Sequence, residues 1–227
     1  MKTFQRSLLS AAALCAGLFV QSGAQATALT EAIPPAPFAD TPLLGTTNAA
    51  RPELAGVVLE DVLTPFSFSG VTGTVQNRVV RETGSGTLDF YWKINTTSSD
   101  TGAGITAFRL GNFGYFNIID GDWRSDGLGT VAPNAARLFE QTAHPEGSVN
   151  FLFDNGVAAG QESRFFFLRT DATQYAKTAQ FDLLSGASGM SGTTATFAPA
   201  VPEPATYGLA FAGLMVVGAL ARRRSAK

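Results

Sequence analysis

From about residue 56 to residue 200 the chain alternates short apolar-rich runs with clusters of Gly, Asn, Asp and Ser. No window of twelve or more residues before Ala205 carries strong amphipathic helical spacing. The clearest run is GTLDFYWKIN, residues 86–95. In it Leu88, Phe90, Trp92 and Ile94 alternate with Asp89, Tyr91, Lys93 and Asn95, which sets the first group on a core face. Val149, Phe151 and Phe153 do the same against Asn150 and Asp154. In SRFFFLRTD (163–171), Phe166 should face away from Phe165 and Phe167.

Further strand-type runs lie at 57–62, 65–70, 71–82, 104–112, 113–120, 178–185 and 193–200. The best helical candidate is short, Asn134 to Gln141 after Pro133. Nine or ten strands with frequent turn signals predict an all-β domain, an antiparallel sandwich of jelly-roll or immunoglobulin-like type, over residues 56–200. Residues 29–55, rich in Pro, Ala and Thr, read as an extended leader able to supply an edge strand.

Both ends of the chain depart from this pattern. MKTFQRSLLSAAALCAGLFVQSGAQATA (1–28) has a basic start, an apolar run from Leu8 to Val20 and small residues after it, the three parts of a secretory signal peptide. Ala24-Gln25-Ala26 and Ala26-Thr27-Ala28 both fit the cleavage pattern. Cys15, the single cysteine, lies inside the apolar run after Leu14, a poor context for lipidation. A mature chain without cysteine excludes disulfides, thiol nucleophiles and cysteine metal sites. At the other end, Ala205 to Ala221 is an uncharged apolar segment of 17 residues, just long enough to span a bilayer as a helix. Arg222, Arg223 and Arg224 follow it as a stop-transfer cluster on the cytoplasmic side, which leaves the domain outside the cytoplasm.

Charge and motifs then limit the chemistry. Between the basic ends lie all 18 acids against 10 of the 16 basic residues, so the exported part is acidic and suits no nucleic acid. The only histidine, His144, sits in a polar segment before Pro145 and reads as a surface-loop residue. Nucleophile-elbow, phosphate-loop and zinc-helix motifs are missing, and the expectation is a protein that is not an enzyme. A carboxylate pair for glycoside hydrolysis has no fixed spacing, so Asp89, Asp120, Asp122 and Asp154 stay as candidates for a secreted hydrolase.

DGDWRSDG (120–127) offers Asp120, Asp122 and Asp126 to a hard cation such as Ca2+. It departs from the helix-loop-helix calcium signature at Arg124 and at Val131, so an ordinary acidic turn is the competing reading. Tyr91, Tyr115, Trp123 and Tyr175 are the aromatic residues suited to a saccharide-stacking platform.

Pro202 and Pro204 hold residues 201–204 extended ahead of the apolar segment. Val201-Pro202-Glu203-Pro204-Ala205-Thr206, then the apolar helix, then the arginines, resembles the PEP-CTERM sorting signal of Gram-negative bacteria. The resemblance implies recognition of the Pro-Glu-Pro motif by a membrane-embedded exosortase. It also implies export through the Sec translocon with signal peptidase, anchoring in the inner membrane before processing, and delivery to the cell surface or outside the cell. The stretches at 86–95, 133–153 and 160–186 are similar to exported domains that accompany such tails, and the association is with biofilm and extracellular polysaccharide. Two expectations follow for the β domain: a non-enzymatic surface or matrix protein, or a carbohydrate-binding adhesion module.

Overall fold

The computed structural model describes residues 27–114, 118–186 and 189–200. They form an all-β sandwich of two antiparallel sheets. Its strands are β1 (Phe38–Pro42), β2 (Gly56–Phe68), β3 (Val71–Glu82), β4 (Leu88–Ser99), β5 (Ile105–Gly111), β6 (Ile118–Trp123) and β7 (Ala135–Phe139). They continue with β8 (Val149–Val157), the two-residue β9 (Gln161–Glu162), β10 (Phe166–Thr170), β11 (Tyr175–Ser185), the two-residue β12 (Gly189–Met190) and β13 (Thr194–Pro199). The first sheet runs β1-β7-β8-β5-β11-β12, with β13 also on β11. The second runs β2-β3-β4-β10-β6, with β9 on β4.

Alternation along the strands builds the core between the sheets. Leu88, Phe90, Trp92 and Ile94 of β4 all face inward and are buried, as the period-two pattern requires. Trp92 lies at its centre, with ring centroids 5.4 Å from Phe108 and 6.1 Å from Phe166. Its Nε1 donates to Thr196 Oγ1 at 3.0 Å, and that hydroxyl donates to Asn77 Oδ1 at 2.9 Å. This chain of bonds joins β4, β13 and β3, and so ties the two sheets through satisfied polar groups in an otherwise apolar core.

The runs expected at 57–62 and 65–70 are one continuous strand, β2, with Pro65 inside it. The proline is tolerated because β2 lies at the edge of its sheet, where an absent N–H removes no second-neighbour bond. The helix expected over Asn134 to Gln141 is instead strand β7, held between β1 and β8. Ala136 and Leu138 face the core while Arg137 and Phe139 face outward, so pairing on both edges outweighs the helical preference of Ala and Leu.

The leader is part of the fold. It supplies β1, Leu43 then joins the main core, Thr46 runs beside Arg124 just past β6, and Arg51 to Leu54 reach the outer face of the second sheet, ending in a short 3-10 helix, Pro52–Leu54. Leu54, Val80, Tyr91, Phe165 and Phe167 form a second apolar cluster there. Phe165 and Phe167 therefore lie opposite Phe166, as their spacing predicts.

Candidate functional site

The layer under the leader holds the acidic residues that the sequence singles out. The strand-borne carboxylates there differ in what surrounds them. Arg51 donates from both terminal nitrogens to Asp120, at 2.9 and 3.0 Å, and both side chains are almost wholly buried. Arg169, facing the same layer from β10, lies 3.6 Å from the second Asp120 oxygen and donates to Glu82 at 2.5 Å. Burial pushes Glu82 up, but the Arg169 pair and the Ser85 hydroxyl outweigh it and hold the carboxyl below its ordinary range.

Asp89, on the adjacent strand β4, has no cation of its own. Burial, reinforced by the Glu82 charge and only partly offset by Arg169, pushes its carboxyl up to about 8. Its Oδ1 is buried without a hydrogen-bond partner among the described residues. Arg51 also pairs with Glu53 at 2.9 Å, so two guanidinium groups face four carboxyls, and a proton on Asp89 relieves part of that excess negative charge.

Asp122 accepts the backbone N–H of Gly45 and of Trp123, both at 2.9 Å, and burial still raises its pKa above the ordinary value. Asp126 is paired with Arg124 at 2.8 and 2.9 Å and caps the N–H of Asn48 at 2.8 Å. Asp120, Asp122 and Asp126 therefore do not converge, and among the described residues no group of three His, Cys, Asp or Glu is placed to hold a metal ion. The segment is a strand end followed by a turn, with Asp120 and Asp122 on β6 and Asp126 in the turn. Its carboxylates staple the leader to the sheet by accepting from Arg51, Gly45 and Asn48, bonds that depend on residues about seventy to eighty positions away.

The other sequence candidates are dispersed. Tyr91 is buried, and Trp123 is covered by Gly45 on one side and by the Arg164 guanidinium, 5.5 Å from its ring, on another. Tyr175 is half-buried, packed edge-on against Phe197 and donating to Glu60 at 2.9 Å. Tyr115 lies outside the described residues. The three described ones therefore form no shared stacking platform. Of the carboxylates considered for hydrolysis, Asp89, Asp120, Asp122 and Asp154 line neither the cavity of about 310 Å³ beside Gly111 nor that of about 430 Å³ beside Tyr91. His144 is on the surface, 3.3 Å from Glu146.

The C-terminal strand leads directly to the sorting signal. β13 pairs with β11, Ala198 is buried in the main core, and the N–H of Ala200 donates to Gln174 O at 2.9 Å. No spacer intervenes between this last tethered residue and Val201. The motif residues Val201, Pro202, Glu203, Pro204, Ala205 and Thr206, the apolar segment and Arg222, Arg223 and Arg224 lie outside the described residues, as does the N-terminal segment 1–26. Among the described residues no helix is long and apolar enough to cross a membrane.

A family model described as the PEP-CTERM protein-sorting motif matches residues 200–224. The chain therefore carries a PEP-CTERM sorting motif, which supports an exported protein sorted by an exosortase. No curated protein and no solved structure matches the chain. The β domain has to be read from its own residues.

Proposed function

We propose that this chain is a non-enzymatic surface or extracellular-matrix protein whose β-sandwich is the delivered cargo. Residues 1–28 act as a secretory signal peptide. The apolar segment 205–221, stopped by Arg222 to Arg224, then holds the precursor in the inner membrane with the domain outside the cytoplasm. The observation that carries this reading is the position of the matched motif. It starts at residue 200, where the last strand ends, so everything the domain needs to fold lies on the exported side of the processing point.

Glu203 between its two prolines is the recognition element, directly before the apolar segment in sequence. Replacing Glu203 by Ala in the producing organism should leave an unprocessed, inner-membrane precursor, scored by fractionation and immunoblot. Wild-type processing and surface display of that variant would overturn the reading.

A further inference from the structure

Strand register sets Asp40, Arg137, Asn150, Arg109 and Asp182 opposite one another in a single row across β1, β7, β8, β5 and β11. Their strand neighbours Leu138, Phe151, Phe108 and Phe181 point into the core, so the row lies on the outer face of the first sheet. Its ends are closed by ion pairs, Arg137 with Asp40 at 2.7 Å and Arg109 with Asp182 at 2.6 Å. Asn150, in the middle, makes no side-chain hydrogen bond among the described residues.

Beside this row, where β5 ends, stands Gly111, paired with Gln180. A Cβ there would meet nothing within 4 Å. A cavity of about 310 Å³ opens over this gap, a volume at the small end of ligand sites. Asn112, Asn150 and Gln180 line it with three amides that have no partner among the described residues, and the Arg109–Asp182 pair closes one side. Phe139 forms an apolar wall, with the His144 ring packed edge-on against it at 5.2 Å.

We propose that this trough is a binding site for a neutral, polyhydroxylated saccharide. Each sugar hydroxyl donates and accepts, and each free amide offers both functions in one plane. The Arg109–Asp182 pair places a donor and an acceptor side by side, which matches two hydroxyls on adjacent carbons. The Phe139 ring suits the apolar face of a pyranose. Charge disfavours an anionic ligand: the ion pair cancels within the trough, and the domain around it is acidic, which repels polyanions. Gly111 is the specificity-bearing position, because any side chain there fills the space the sugar ring would occupy.

This inference is independent of how the chain is sorted. The test uses the full chain, purified in a detergent without a sugar headgroup. It is titrated calorimetrically with the trisaccharides of glucose, galactose, mannose and N-acetylglucosamine, with glucuronate as the charged counterpart. At least one neutral saccharide should bind saturably. Gly111→Val, a residue that strands accept readily, should weaken that binding by at least about tenfold without lowering the melting temperature. Asn150→Ala should weaken it as well and serves as a second variant if Gly111→Val fails to fold. Absence of binding by every neutral probe, undiminished binding in both variants, or preference for glucuronate would overturn the proposal. Neither variant touches the sorting signal, so loss of saccharide binding with normal display separates the two readings.

Discussion

Arg51 and Asp120, 69 positions apart, form a two-pronged ion pair with both side chains withdrawn from water. The arginine belongs to the leader and the aspartate to β6, so the pair fastens an irregular segment to the outer face of a sheet. Buried pairs of this kind are costly to break from one side, because the remaining charge stays desolvated.

Arg51→Met should accordingly destabilise the protein by about 3 to 5 kcal/mol in chemical denaturation. Pairing it with Asp120→Leu should recover a large part of that loss. A double-mutant cycle measures the coupling, and additive losses would show that the pair does not act as a unit.

Asp89 makes stability depend on pH in an unusual direction. Its carboxyl titrates near 3.8 when unperturbed and at about 8 in the fold, where it faces Glu82, Asp120, Arg169 and the Tyr91 hydroxyl. The folded protein therefore keeps a proton that the unfolded chain releases. This contribution is fully present below 3.8, declines as pH rises, and is lost above about 8. Glu82, whose pKa is lowered, works in the opposite sense and loses its contribution as pH falls below its ordinary 4.5. Thermal unfolding should show a melting temperature that declines from mildly acidic pH toward 8, and Asp89→Asn should flatten that decline.

Thr196 accepts from Trp92 and donates to Asn77 inside the core. Thr196→Val keeps the shape but strands a buried indole N–H and a buried amide oxygen, at a cost of about 2 to 3 kcal/mol. Thr196→Ser should cost less. Denaturant melts followed by tryptophan fluorescence compare the two.

Gly129 adopts φ +96, and a Cβ there would stand 1.9 Å from the carbonyl oxygen of Ser163, at the point where Val131 bridges to that residue. Backbone against backbone leaves no flexible group to yield. Gly129→Ala should therefore cost at least ~2 kcal/mol. Gly111→Ala, in open space and without a positive φ, should be nearly neutral in the same assay.

A chain ending at Ala200 should unfold at the same temperature as the chain that carries its tail, because β13 and its bond to Gln174 are retained. One ending at Thr193 loses β13, and with it Thr196 and the buried Ala198. It should lose its cooperative transition or melt more than about 10 °C lower.

The sequence by itself determined whatever depends on local order along the chain. Alternation in residues 86–95 and 149–153 specified which side chains enter the core, because a strand turns successive residues to opposite faces. The tail was legible for the same reason: proline, a carboxylate, an apolar length and a positive end act in linear sequence, and they define the sorting signal without a fold. Tertiary structure decided what depends on partners distant in sequence. Residues 134–141 spell a short helix locally, but two neighbouring strands satisfy their backbone and make them β7. Asp120, Asp122 and Asp126 are spaced like ligands, but Arg51, Gly45 and Arg124 reach them first. The row from Asp40 to Asp182 and the gap at Gly111 had no signature at all. Strands from five separate parts of the chain meet there, and only their register brings the side chains into line.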